Sequence, residues 1–193
     1  RENIEAIINA ISSLSIHFDI LIIDDNSPDG TADIVKKLQL SFPNIHLIER
    51  PGKLGLGTAY IAGFKWSLEK GYSYIYEMDA DFSHDPHDLL RLYKACHEDG
   101  ADVAIGSRYI SGVNVVNWPL SRVLMSYFAS IYVRVVTGMR IMDTTAGFKC
   151  YRREVLANIR PHKIKSIGYG FQIEMKFTAW RLGYKIVEIP IIF

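Results

Sequence analysis

The chain has 193 residues and a mass of 22.0 kDa, which fits one domain with a full hydrophobic core. Hydrophobic residues make up 49% and charged residues 22%, so the chain is neither disordered nor collagen-like. Lys and Arg number 22 against 21 Asp and Glu, a net charge of +1 that argues against nucleic acid as the main partner.

The chain opens Arg1-Glu2-Asn3-Ile4, without Met and already in a helical pattern, as if cut from something longer. Residues 18–23 are a continuous apolar run ending in two Asp, the pattern of a buried strand. Asp29-Gly30-Thr31 then opens a helix to about Leu40, with Asp29 or Thr31 as its cap. Residues 45–48 form a second strand and 52–57 a glycine-rich loop. A helix over 58–69 stops at Gly71. A third strand over 72–78 runs into Asp79, and Pro86 suits the first position of the helix that follows. Residues 101–105 are a fourth strand, and helices follow at about 120–136 and 171–182. The last strand, 186–193, contains Pro190 and so belongs at an edge. Alternating strands and helices imply one α/β domain with a mostly parallel sheet flanked by helices, binding ligands beyond the carboxyl ends of its strands. Cys96 and Cys150 lack metal spacing and read as reduced cytosolic thiols. No apolar run is long enough to span a membrane, although 123–133 suits a membrane surface.

The sharpest chemical signal is Asp79-Ala80-Asp81 at a strand end. Residues two apart in an extended segment face one side, so the two carboxylates converge. Such a pair suits Mg²⁺ or Mn²⁺, hard cations that accept few protein ligands and complete their shell from phosphate and water. Glu77 shares that face and reads as a partly exposed strand carboxylate. Asp24 and Asp25 end another buried strand, where carboxylates need partners; Asp25 suits hydrogen bonds from a base or ribose. The loop Gly52-Lys53-Leu54-Gly55-Leu56-Gly57 matches neither the P-loop nor the dinucleotide template. Arg108 and Arg122 are the cations suited to phosphate. Arg122, Ser126, Ser130 and Arg134 recur every four residues, one stripe on a helix. The stripe reads either as an ordinary half-buried face or as a polar rail for phosphate beside apolar surface for a greasy tail. His84 and His87 read as surface residues.

LIIDDNSPDGT (21–31), GKLGLGTAY (52–60), MDADFSHDP (78–86), GSRY (106–109), TTAGFKCYRREVL (144–156) and YGFQIEM (169–175) occur in one order and spacing. In these the chain resembles, over essentially its whole length, the dolichyl/polyprenyl-phosphate mannosyltransferases, inverting family-2 glycosyltransferases of the GT-A, Rossmann-like fold. The resemblance implies transfer of mannose from GDP-mannose to a polyprenyl or dolichyl phosphate. It implies that Asp79, Asp81 and, where some relatives have Gln, Ser83 hold the metal. Ala80 would lie against the donor, and Ile23 and Asp25 against the nucleoside. Arg108, Arg122 and Ser126 would contact phosphate, Asp81, Arg108 and Arg122 would carry the catalysis, and Arg181 would lie near the donor. A phosphate monoester has its second pKa near ~6, so the acceptor is already a nucleophile and no catalytic His or Glu is expected. The implied location is peripheral, at the cytoplasmic face of a membrane, reached by the chain's own anchor, a partner subunit or surface binding. Two rivals stay open: a family-2 transferase using a UDP-sugar, and a receiver-like binding domain with no enzymatic activity. The resemblance further implies a core lacking its first, central strand and a basic loop after Phe193, and hence a span that is unstable or inactive alone.

Overall fold

The computed structural model describes residues 3–193. Arg1 and Glu2, where the opening helical pattern begins, lie outside the described residues. In chain order the elements are α1 (Ile4–Ser12), β1 (Ile20–Asp24), α2 (Thr31–Gln39), β2 (Ile45–Glu49), α3 (Leu56–Lys70), β3 (Tyr74–Glu77) and α4 (Asp88–His97). There follow β4 (Val103–Ser107), α5 (Leu120–Thr137), β5 (Lys149–Arg152), α6 (Arg153–Ile159), α7 (Tyr169–Arg181) and β6 (Ile186–Pro190).

The strands form two sheets, β1-β2 and β3-β5-β4-β6. β1 and β2 are parallel, as are β4 and β6, with Pro190 on the edge strand opposite Ser107. The ladder survives there because the amide of Ile191 donates to the Ser107 carbonyl at 3.1 Å. β5 was not expected as a strand. It runs antiparallel between β3 and β4, and its Lys-Cys-Tyr-Arg sequence carries no apolar run to announce it. Burial on both faces overrides that local pattern.

One core lies between α3, α6, α7 and the larger sheet, built on Phe64, Ile105, Tyr151 and Met175. A second fills the space between α4 and the opposite face, around Leu92 and Phe148. A third joins α1 and α2 to β1-β2 through Ile8, Ile20, Val35 and Ile45. β1 and β3 each pair on one side only, and a cavity of about 560 Å³ separates them, lined by both, including Ile22 and Ile75. The two sheets therefore meet across this cavity and not through a shared ladder.

Helix boundaries follow local chemistry. Asp29 Oδ1 accepts the amide of Thr31 at 3.1 Å and its hydroxyl at 2.7 Å, tying down the start of α2. Gly71 ends α3 in the left-handed conformation, φ 84°. α3 begins at Leu56, two residues before expectation, and takes in Gly57, where a Cβ would stand 3.0 Å from the Phe171 ring. α4 begins at Asp88 rather than at Pro86, because the preceding turn is tighter: Asp88 and Leu89 donate to the carbonyls of Asp85 and Pro86.

Candidate active site

The carboxyl ends of β1, β3 and β4 bring their loops to one side of the molecule. β3 ends at Glu77, and Asp79 and Asp81 follow into a cleft of about 160 Å³. Asp79 Oδ1 accepts the Tyr60 hydroxyl at 3.0 Å, and Asp81 Oδ1 accepts the Ser83 amide at 2.9 Å. Burial first, then Glu77 and Asp79, push the Tyr60 phenol far above its usual range, so it remains a donor to Asp79. Burial opposes the charge of Asp81, but the Ser83 bonds outweigh it and hold its pKa below the ordinary value. The Ser83 hydroxyl lies 3.5 Å from His84 Nδ1. Among the described residues no group of three or more His, Cys, Asp and Glu side chains suits a metal. Two carboxylates lining one cleft fit a hard divalent cation that draws its other ligands from phosphate and water.

His84 is not a surface residue. It is buried against Phe148 and Phe193, with ring centroids at 4.8 and 4.9 Å. Burial lowers its pKa despite the opposing pull of Asp79 and Asp81, which favours the neutral imidazole. Glu77 likewise departs from expectation, at 3% exposure. Its partners explain this: Lys149 Nζ at 2.6 Å, the Tyr151 hydroxyl at 2.9 Å and Gln172 Nε2 at 3.0 Å. The register of β3 with β5 sets Glu77 opposite Lys149, and a buried charge persists only when paired in this way.

The nucleoside candidates occupy the neighbouring strand end. Ile23 and Ala80 line the larger cavity, which meets the cleft at Asp79 and Tyr60. Asp25 is gripped by Arg50, with Nε–Oδ1 and Nη2–Oδ2 both at 2.6 Å, and Arg50 Nη1 also donates to Thr58 Oγ1 at 2.7 Å. The Arg50 bonds lower the Asp25 pKa. The partner that Asp25 needed is thus within the protein. Sequence reasoning missed Arg50, although it stands just before the glycine-rich loop.

Arg108 follows β4 and is buried. Asp143 accepts its Nε and Nη2, each at 2.7 Å, and its backbone amide at 3.0 Å, while Thr145 Oγ1 accepts Nη2 at 2.9 Å. Burial works against the charge on both Arg108 and Asp143. Their mutual bonds win, raising the arginine pKa and lowering the carboxylate pKa. The guanidinium lies 5.2–5.4 Å from the rings of Tyr109, Trp118 and Phe193. Arg122, in the first turn of α5, is exposed and stacks on Trp118 at 3.8 Å. It lines the cleft with Asp79, Asp81 and Arg108 and has no ion-pair partner among the described residues.

Only the start of the α5 stripe reaches the cleft. Ser126 Oγ accepts the Tyr109 hydroxyl at 2.8 Å, Ser130 accepts the Thr144 hydroxyl at 3.2 Å, and Arg134 meets Met142 Sδ at 2.7 Å. From Ser126 onward the stripe faces the protein, and the apolar face is turned outward: Leu120, Met125, Phe128, Tyr132, Val135 and Val136 are all 60–78% exposed. Arg181 closes α7, roughly 18 Å along the helix from Tyr169 at the cleft. The structure does not bring Arg181 to the cleft, because it stands at the opposite end of α7 from Tyr169.

Residues 1–160 match the family described as Glycosyl transferase family 2. The chain is 46% identical over 194 residues to the polyprenol monophosphomannose synthase of Mycolicibacterium smegmatis, covering 100% of this chain and 73% of that protein. It is 48% identical over 175 residues to the undecaprenyl-phosphate mannosyltransferase of Micrococcus luteus, covering 91% of this chain and 71% of that protein. Among solved structures, glucosyl-3-phosphoglycerate synthase from Mycobacterium tuberculosis with phosphoglyceric acid superposes with a TM-score of 0.68 at 18% identity, over 98% of this chain and 65% of that one. The same enzyme in complex with Mn²⁺, UDP and phosphoglyceric acid also gives 0.68 at 18% identity, over 97% of this chain and 63% of that one. This chain therefore spans just under two thirds of those solved chains, and at such identity the likeness shows the fold alone. The family match and the identity of nearly half, on a fold that places paired carboxylates beside two arginines, establish that the chain belongs to glycosyl transferase family 2.

Proposed function

We propose that this chain moves mannose from GDP-mannose to a polyprenyl or dolichyl phosphate at a membrane surface, inverting the anomeric centre. The observation that carries the reading is one juxtaposition: Asp79, Asp81 and Arg122, which has no ion-pair partner among the described residues, share a cleft at the start of a helix whose apolar face is turned to solvent. Anion-binding groups thus adjoin a surface fit for a lipid tail. Two relatives of nearly half identity, named for mannose transfer onto polyprenyl phosphates, support the same reading.

Asp79 and Asp81 would hold Mg²⁺ or Mn²⁺, which neutralises charge on the departing nucleoside diphosphate. Tyr60 orients Asp79, and the Ser83 amide orients Asp81. Ile23 and Ala80 supply apolar surface beside the donor, and Arg50 fixes Asp25 just after β1, the strand that carries Ile23. Arg122 receives the acceptor phosphate on a guanidinium free for a forked contact. Arg108, locked by Asp143, contributes a fixed positive charge on the same wall. The acceptor oxygen is already anionic near neutral pH, so these residues work by positioning and charge. His84, which is buried, and half-buried Glu174, whose carboxylate holds the Ser166 amide at 2.9 Å, take no proton. No helix among the described residues is long and apolar enough to cross a membrane; the outer face of α5 provides the surface contact.

The test is mannosyl transfer onto a short polyprenyl phosphate with added Mn²⁺. The full-length wild-type protein is expected to turn over, and its Asp81→Asn variant to lose roughly 100-fold or more in kcat/KM. Glu174→Ala should keep its turnover. Thermal stabilisation by UDP-glucose but not GDP-mannose would favour a UDP-sugar donor, and no response to either nucleotide would sink the transferase reading.

A further inference from the structure

Two lysines that the transfer does not use lie beneath the cleft. Lys149 of β5 and Lys176 of α7 are 0% and 1% exposed. Lysines are almost never fully buried without a partner. Lys149 has its carboxylate, Glu77, and Gln172 bridges the two through a short bond from Lys149 and a 3.0 Å bond to Glu77. Lys176 has no carboxylate within hydrogen-bond reach among the described residues, and burial, then Lys149, lower its pKa well below the usual lysine value.

Both ammonium groups reach the same stretch of backbone. Lys149 Nζ donates to the carbonyls of Ala146 at 3.1 Å and Gly147 at 3.3 Å. Lys176 Nζ donates to those of Thr144 at 2.9 Å and Ala146 at 2.7 Å. Residues 142–147 are neither helix nor strand, so these buried carbonyls have no ladder to satisfy them. At the other end of the stretch, Glu188 accepts the amides of Met142 at 2.7 Å and Asp143 at 2.8 Å. The segment held in this way carries the Arg108 ion pair through Asp143. It also supplies Thr145, Ala146 and Gly147 to the cleft wall. A side chain added at Gly147 would stand 3.9 Å from Asp79 Oδ2, so a small shift of this wall changes the space in front of the carboxylates.

We infer that Lys149 and Lys176 are positioning residues of the transfer: a buried two-lysine clamp that fixes residues 143–147, and with them Arg108, opposite Asp79 and Asp81. The inference rests on the transferase reading above. Lys149→Met strands Glu77 in the interior and is the variant that fails to fold. Lys176→Met keeps chain length, removes no carboxylate partner and leaves the fold intact, so it is the informative variant. In Lys176→Met, amide hydrogen exchange at residues 143–147 should quicken at least tenfold while the strand amides keep their protection. With the melting temperature held within a few degrees, kcat should drop about tenfold or more, as displacements near 1 Å do. Affinity for GDP with Mn²⁺, measured without acceptor, should stay within twofold, because the nucleoside side is built on other strand ends. Unchanged exchange with unchanged kcat overturns the clamp, as does a kcat loss that vanishes once rates are normalised to folded protein. If the wild type transfers no mannose, the transferase reading fails on its own, and unchanged exchange in Lys176→Met still overturns the clamp.

Discussion

Asp143 shows how one residue links stability to the site. It is fully buried, carries Arg108 on two oxygens, and is itself held by Glu188 through its amide. Burial alone would raise its pKa, but the Arg108 bonds and charge, then Lys176, hold it below 3.8. A carboxylate whose folded pKa is depressed contributes stability above the unfolded value, and that contribution is lost as pH falls through the folded value. Stability at this residue is therefore intact above about pH 4 and declines on further acidification. Asp143→Asn, which leaves Arg108 buried without its charge partner, should cost about 3–5 kcal/mol at pH 7. Its acid limb should be shallower than that of the wild type, as thermal melts across pH 2–7 would measure. An equally steep limb in the variant would assign the acid sensitivity elsewhere.

At the scale of elements, α5 inverts ordinary amphipathicity over much of its length. A surface helix normally buries its apolar stripe, whereas here Ser130 and Arg134 face inward and Met125, Tyr132 and Val136 face outward. Replacing those three outer residues with Ser should change stability by less than ~0.5 kcal/mol each. The same change should weaken binding to lipid vesicles, by roughly tenfold for each large side chain withdrawn from the bilayer. Vesicle flotation beside a thermal melt separates the two effects. β4 makes the opposite point about tolerance. At Gly106 a Cβ would stand 2.8 Å from Phe148 Cδ1 and 3.1 Å from Ile191 Cδ1. Gly106→Ala should therefore cost about 1–3 kcal/mol by overpacking, read from the denaturant midpoint.

For the molecule as a whole, the divided sheet sets the order of unfolding. The β1-β2 layer, with α1 and α2, has its own core of Ile7, Ile8, Ile20, Val35 and Ile45. It joins the second core, around Leu92 and Phe148, through partly buried Ile11, Phe18 and Met78, and among the described residues β1 has no strand on its inner edge. Cooperative units with fewer shared contacts open first. Amides of β1 and β2 should exchange faster than those of β4, which is buried along its whole length. Uniform protection in this chain would refute the division.

Much of this was legible in local pattern. The alternation of strands and helices, the Gly71 stop, the edge position of Pro190 and the paired carboxylates after β3 all depend on residues within a few positions of one another. Periodicity reports such features directly. Tertiary structure decided the rest. Asp25 finds Arg50 across 25 residues, Arg108 finds Asp143 across 35, and Glu77 finds Gln172 across 95. Spacing carries no sign of these pairs, because the partners meet only when strand order and register bring them together. For the same reason Glu77 looked half exposed, His84 looked superficial and β5 was invisible. A buried charge is permitted only by the partner the fold delivers, and which face of α5 is wet was settled by what lay beneath it. The sequence by itself determined the α/β class, the family and the acidic pair at the cleft. Only the three-dimensional arrangement shows which charges hold the cleft wall, as Arg108 and Asp143 do, and which, like Arg122, have no ion-pair partner among the described residues.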